Sequence, residues 1–199
     1  MAEHRRPPER IETEGLLLRR HRAEDASGIA AAIEESLPEL GKWLPWATEP
    51  AAQAEAQRRR LEEVIPNWER GTEYVYLIFR SGKSRVLGCA GLHRRSGPTV
   101  VEIGYWLRSS ETGQGTMTRA VRALAEVALA LPGAERAEIH CDQANKKSAA
   151  VPRRLGFRLA RTERAGVKAP GEVGRHMIWV LESASQTATS VTVDHRGER

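Results

Sequence analysis

Glu102-Ile103-Gly104-Tyr105-Trp106-Leu107, a short polar turn, Thr112-Gly113-Gln114-Gly115-Thr116-Met117-Thr118, and the segment from Arg119 to Leu131 form the stretch whose reading decides the fold. In its first part Val101, Ile103, Tyr105 and Leu107 alternate with Glu102, Gly104 and Trp106. That period of two, rich in aromatic and β-branched residues, predicts a strand. In its last part Met117, Val121, Leu124, Ala128 and Leu131 recur at spacings of four and three, which is one face of a helix. Between them Gly113 and Gly115 present no Cβ and let the backbone approach a ligand closely. The amides from Gln114 through Thr116 and Met117 to Thr118 are then the unsatisfied donors of a helix start, an anion site that suits a pyrophosphate.

A Gly-x-Gly turn also serves as a plain tight corner, so the loop alone leaves both readings open. Two familiar phosphate loops are excluded. A Walker loop needs Gly-Lys-Ser/Thr, which this loop lacks. A dinucleotide fingerprint wants a third glycine where Thr118 stands, with strand-helix repeats around it. Here the loop follows three predicted antiparallel strands instead.

A chain of 199 residues, 40% hydrophobic, is long enough for one domain with a full-sized core. Its 31 Lys and Arg stand against 26 Asp and Glu, a net charge of +5 on a surface dense in both signs. That excess does not demand nucleic acid, and it favours an acidic substrate. Cys89 and Cys141 lie inside apolar strands and read as reduced core residues, which points to a cytoplasmic setting. No run approaches the roughly 18 apolar residues of a membrane span. The charged run from Glu3 to Arg10 has no signal-peptide core.

Outward from the loop, the predicted boundaries are a flexible arm over 1–12, a single domain over 13–182 and a disordered tail over 183–199. Within the domain, strands are expected at Gly15 to Arg20, Tyr74 to Arg80, Val86 to Leu92 and from Val100 on, then at Arg136 to Asp142, Phe157 to Thr162 and Arg175 to Leu181. Helices are expected over 24–37, stopped by Pro38, over 50–69, along the segment to Leu131, and from Asn145 to a glycine cap at Gly156. Trp43 and Trp46 fall in a Pro-broken stretch where they read either as a hydrophobic plug or as the wall of an acceptor site. His93, Cys89, His140 and Cys141 lack ligand spacing, so no metal site is expected. There is no Gly-x-Ser-x-Gly elbow of a serine hydrolase.

This order resembles the GNAT superfamily of acyl-CoA-dependent N-acetyltransferases. The resemblance rests on the Glu-Ile-Gly-Tyr-Trp-Leu strand, the Gly113-Gln-Gly-Thr-Met-Thr118 loop and the Asn145-x-x-Ser148 helix running into Leu155-Gly156-Phe157. It spans residues 14 to 182 and is similar most of all to the RimJ/RimL branch, which acetylates N-termini of ribosomal proteins. It implies an α+β fold: a mixed, mostly antiparallel sheet of about seven strands with about four helices, and a splayed parallel pair that binds acetyl-CoA. It also implies an amine acceptor, the N-terminus of a protein or else a small molecule such as an antibiotic or polyamine. A non-catalytic acyl-CoA-binding module is the third reading. Neither nucleic acid nor membrane enters as a partner, and monomer and homodimer both stay open.

The resemblance assigns residues as well. Backbone groups near Trp106 and Leu107 would pair with pantetheine, the loop from Gly113 through Gln114, Gly115, Thr116 and Met117 to Thr118 would hold the pyrophosphate, and Asn145 would help hold the cofactor arm. Ser148 is the candidate proton donor to the departing thiolate, and Glu102 the candidate base acting through water, with His140 its rival. An α-amine, with a pKa of about 7.7–8.0 against about 10.4 for lysine, needs little help to deprotonate. Three departures stand out: Thr112 where Arg or Gln is usual, Met117 where Gly or Ala is usual, and Pro152 where many members carry the tyrosine acid.

Overall fold

Strand β5, Val100–Leu107, is the axis of the structure, a computed structural model that describes residues 6–183. In chain order the elements are β1 (Arg10–Thr13), β2 (Leu16–Arg20), α1 (Ala26–Leu40), α2 (Ala54–Arg70), β3 (Glu73–Arg80), β4 (Gly88–His93), β5, α3 (Thr116–Ala130), β6 (Arg136–Asp142), α4 (Lys146–Arg154), β7 (Arg158–Arg164) and β8 (Arg175–Glu182). The strands make one eight-stranded sheet in the order β1-β2-β3-β4-β5-β6-β8-β7. Every neighbouring pair is antiparallel except β5 and β6. Helix α3 is the crossover that a parallel pair requires. The expected mixed α+β architecture is present, with one strand more than expected.

The period of two sends alternate residues to two cores. Val101 and Ile103 of β5 join Tyr76 and Ile78 of β3 under Val121, Leu124 and Ala128 of α3. On the opposite face Trp106, Cys89, Leu77 and Phe79 meet Ile29 and Ile33 of α1 and Leu61 of α2. Leu124 is fully buried, so truncation to Ala would cost about 2–5 kcal/mol. Cys89 and Cys141 are free, buried and on opposite faces of the sheet. Among the described residues no helix is long and apolar enough to cross a membrane.

Two expectations change. The arm expected over 1–12 carries β1 from Arg10 on, and Arg6, Pro8 and Glu9 before it are seated: Tyr76 Oη donates to the Pro8 carbonyl at 2.8 Å, Arg20 N donates to Glu9 O at 2.9 Å, and Arg6 pairs with Glu69 at 2.6 Å. Charged Arg10 and Glu12 alternate with Ile11, so a short edge strand reads as an unstructured charged run. Pro38 does not stop α1, which continues to Leu40. Buried Ser36 and Leu40 hold that last turn, and Gly41 N donates to Leu37 O at 2.9 Å, so only the bond that the proline ring lacks is lost. Of the expected tail, Ser183 N donates to Glu135 O at 2.9 Å, and residues 184–199 lie outside the described residues, as do residues 1–5.

Candidate active site

The parallel pair is short. Strands β5 and β6 are paired at Val100/Arg136, Val101/Ala137 and Glu102/Glu138, and there the pairing ends. From that point β5 continues along β4 to Leu107 while β6 continues along β8 to Asp142, so a cleft opens between them. Arg108 N donates to Leu87 O at 2.7 Å, which turns the backbone of Arg108 toward β4. By strand alternation the backbone of Trp106 also faces β4, and that of Tyr105 and Leu107 faces the cleft. The register therefore exchanges Trp106 for Tyr105 as the partner of Leu107 on the open edge.

At the far end of β5 stands the glycine loop. Gly113 and Gly115 sit at φ 77° and 72°, and open space surrounds the position a Cβ would take at either. Gly115 begins α3 with no side-chain cap, and Thr116 Oγ1 and Arg119 Nε are buried there without a hydrogen-bond partner. Orphan donors at an uncapped helix start, before an open glycine turn, fit a phosphate group. The loop is braced from outside. Gln114 Nε2 donates to Ser110 O at 2.9 Å, its Oε1 accepts from Arg80 at 2.8 Å, and Thr112 Oγ1 donates to Ser109 O at 2.9 Å. The Met117 side chain is buried in the core under α3, so its bulk lies away from the loop. Thr118 lies half-buried one residue on.

Across the cleft, Asn145 caps α4, its Oδ1 accepting from Ser148 N at 3.0 Å. The side chain expected to hold a cofactor arm thus spends its oxygen on the helix start. Tyr105 Oη donates to the Ser148 carbonyl at 3.0 Å and lies 3.2 Å from Ser148 Oγ. Burial pushes the Tyr105 phenol up, so it stays protonated. Pro152 is buried within α4. Where the resemblance expects a tyrosine on that helix, a phenol thus arrives from β5. Sequence reasoning read Tyr105 only as a strand residue; its alternation with Glu102 was the available signal, since it puts Tyr105 on the α3 and α4 face.

The other face carries a transverse polar row. Glu73, His93, Glu102 and Glu138 are successive cross-strand partners on β3, β4, β5 and β6. His93 Nδ1 lies 2.7 Å from Glu73 Oε1, and Asn67 Nδ2 donates to Glu73 Oε2 at 3.1 Å. The His93 hydrogen bond holds the Glu73 carboxyl down to about 2, with Asn67 and Arg95 adding to it against the cost of burial. Glu102 stands at the last paired position before the cleft, with Arg95 at 3.9 Å. His140 Nε2 lies 2.7 Å from Glu138 Oε2, and Arg136 holds the other oxygen of Glu138 at 2.7 Å. Among the described residues no group of three or more His, Cys, Asp or Glu is placed to hold a metal ion.

The two expected acceptor tryptophans are half-buried and face different neighbours. Trp46 meets Trp106 edge-on at 6.1 Å between ring centroids, with the Arg60 guanidinium 5.3 Å from the Trp46 ring. Trp43 faces Gly171 in the β7–β8 loop, where a Cβ would come within 3.1 Å of the indole, and Gly171 N donates to Lys42 O at 2.8 Å. A Cβ there would also come within 2.6 Å of the Lys42 carbonyl, so glycine is what lets the loop close on this stretch.

With this geometry in hand, likeness to known proteins is specific. Residues 15–158 match the family described as Acetyltransferase (GNAT) domain. YdaF of Bacillus subtilis (strain 168), whose name proposes a ribosomal N-acetyltransferase, is 33% identical over 151 residues, 72% of this chain and 78% of that protein. The solved structure of RimL, a ribosomal L7/L12 α-N-protein acetyltransferase in complex with coenzyme A, superposes with a TM-score of 0.78 at 24% identity, over 87% of this chain and 98% of that one. That of the microcin C7 self-immunity acetyltransferase MccE, with acetyl-CoA and AMP, gives 0.76 at 19% identity, over 85% and 93%.

Proposed function

The chain belongs to the GNAT acetyltransferase family, the acetyl-CoA-dependent N-acetyltransferases, and we propose that its acceptor is the N-terminal α-amine of a protein, a ribosomal protein first among them. The observation that carries this reading is the parallel pair that parts after Glu102 and Glu138, with the glycine loop and Ser148 at one face and Glu102 with Trp46 and Trp106 at the other. Acetyl-CoA, when bound, supplies an acetyl thioester already activated for transfer. The residues that would hold it are Tyr105 and Leu107 through backbone groups on the cleft edge, and the run from Gly113 to Thr118 through amides at the start of α3.

Positioning and charge then do most of the work. The Glu102 carboxylate attracts the ammonium form of the acceptor and draws off its proton through water, a modest task for an α-amine. Ser148 Oγ gives a proton to the sulfur, and the Tyr105 hydroxyl at 3.2 Å replenishes it. Trp43 and Trp46 wall the acceptor entrance, in the cytoplasm where ribosomes and acetyl-CoA meet. The similarity to YdaF and the fold shared with RimL support a protein acceptor. The contact between Gly171 and Trp43, which narrows that entrance, favours a small amine as the second reading, alongside the fold shared with MccE.

The test is calorimetric titration with acetyl-CoA beside ATP and NADH, followed by turnover on peptides with free N-terminal serine or alanine and on a panel of small amines. Selective acetyl-CoA binding with peptide acetylation supports the proposal. Turnover of small amines alone would replace it with the second reading.

A further inference from the structure

His93 is a buried histidine backed by a carboxylate, its ring lying over the β4–β5 pair one strand from the cleft. Its Nδ1 lies 2.7 Å from Glu73 Oε1; a carboxylate only accepts, so the ring donates Nδ1–H to it, and in the neutral ring Nε2 is then the acceptor. The carboxylate is itself fixed, by Asn67 Nδ2 at 3.1 Å and Arg95 at 3.1 Å. The ring leans back along β4 over the cross-strand pair Gly91 and Gly104. A Cβ at Gly91 would come within 2.8 Å of Nε2, and one at Gly104 within 3.5 Å. Two absent side chains thus make the space that the imidazole fills. Gly104 is two residues beyond Glu102, where β6 has already left β5, so Nε2 sits beside the opened part of the strand. Among the described residues Nε2 has no hydrogen-bond partner.

We propose that His93 takes the proton released by the acceptor amine, with Glu73 as its positioning residue and a water at Glu102 as the link. This rests on the acetyltransferase reading above and adds a member to its machinery. The nitrogen bonds to the acetyl carbon as the carbon–sulfur bond breaks; the proton from nitrogen ends on Nε2, and the sulfur takes one from Ser148. The charged groups facing the imidazole are Glu73 from β3, Glu102 from β5 and Arg95 beyond β4, whose guanidinium is 3.2 Å from Nδ1. His21 lies further along the same face, where the charges of Arg60 and Glu73 both act on it. His140, the histidine expected as the rival base, is instead engaged by Glu138 on β6.

The experiment compares the full-length protein with His93→Gln, Glu73→Gln and Glu102→Gln, using acetyl-CoA and a peptide with a free N-terminal serine. The expected result for His93→Gln is a loss of about 10²-fold in kcat, a flattened acidic limb of the pH profile and acetyl-CoA affinity within about threefold of the parent, the share a positioned base supplies. Glu73→Gln, which keeps the side-chain volume, moves both kinetic readings the same way by about tenfold and carries the test if His93→Gln does not fold. A His93→Gln enzyme with parental kcat and pH profile overturns the inference, as does an acidic limb abolished by Glu102→Gln alone. A parent protein that binds acetyl-CoA but acetylates no peptide overturns the acceptor reading instead, and the same variants then decide on His93 with whichever small amine is turned over.

Discussion

The Tyr105 hydroxyl bridges the cleft to Ser148, 3.0 Å from its carbonyl oxygen and 3.2 Å from its hydroxyl. Strand β5 and the first turn of α4 are thereby tied together beyond the point where β5 and β6 part. Ser148→Ala should lower kcat by about 10²-fold with acetyl-CoA affinity nearly intact, and Tyr105→Phe by less. The double variant should fall short of the product of the two losses, because both groups serve one proton path. Steady-state kinetics beside calorimetry checks this, and unchanged turnover in Ser148→Ala would remove it as the acid.

Gly115→Val should abolish measurable acetyl-CoA binding. The residue begins α3 at φ 72°, a conformation that costs a residue with a Cβ about 1–2 kcal/mol, and the side chain would enter the open approach to the helix amides. Calorimetry at a temperature where thermal unfolding shows the variant folded separates binding from stability. Normal binding would show that the loop holds no phosphate.

Trp43→Ala should raise KM for a peptide acceptor about tenfold, about 1.4 kcal/mol, without changing acetyl-CoA affinity. The indole packs on Gly171 of the β7–β8 loop, and the proposed acceptor entrance is walled by it. An unchanged KM would make Trp43 a plug.

Asp25→Ala should destabilise the fold by about 3–5 kcal/mol, read by urea denaturation. Arg19 grips Asp25 at 2.8 and 2.6 Å, and Arg22 N donates to the same carboxylate at 2.7 Å. Both ionic side chains are largely buried, and the Arg19 guanidinium lies 4.5 Å from the Phe79 ring centre. Removing the acid strands the cation.

The Glu73 carboxyl is held down to about 2 in the folded chain, against about 4.3 when unfolded. A depressed folded value stabilises above the unfolded one, and that contribution is lost as pH falls from about 5 toward 2. Glu73→Gln should therefore flatten this part of the stability–pH curve, by about 1–2 kcal/mol after solvent screening, in urea titrations at pH 7 and pH 3. An unaltered slope would contradict the pairing with His93.

Sequence alone determined what depends on local period and backbone freedom. The alternation through Val101, Ile103 and Tyr105 made β5, the spacing from Met117 to Leu131 made α3, and Gly113 with Gly115 allowed the turn between them. Short-range signals failed where burial outweighed propensity, as when α1 ran through Pro38 to the buried Leu40. They failed again at β1, whose charged edge hid a strand. The tertiary structure alone decided which polar groups come together. Glu73, His93 and Glu102 meet because three antiparallel strands set them in register, and Tyr105 reaches Ser148 because α4 folds back over β5. Neither meeting leaves a mark in the local sequence, since register is a relation between segments, and hydrogen bonding between strands, not spacing along the chain, brings these side chains together.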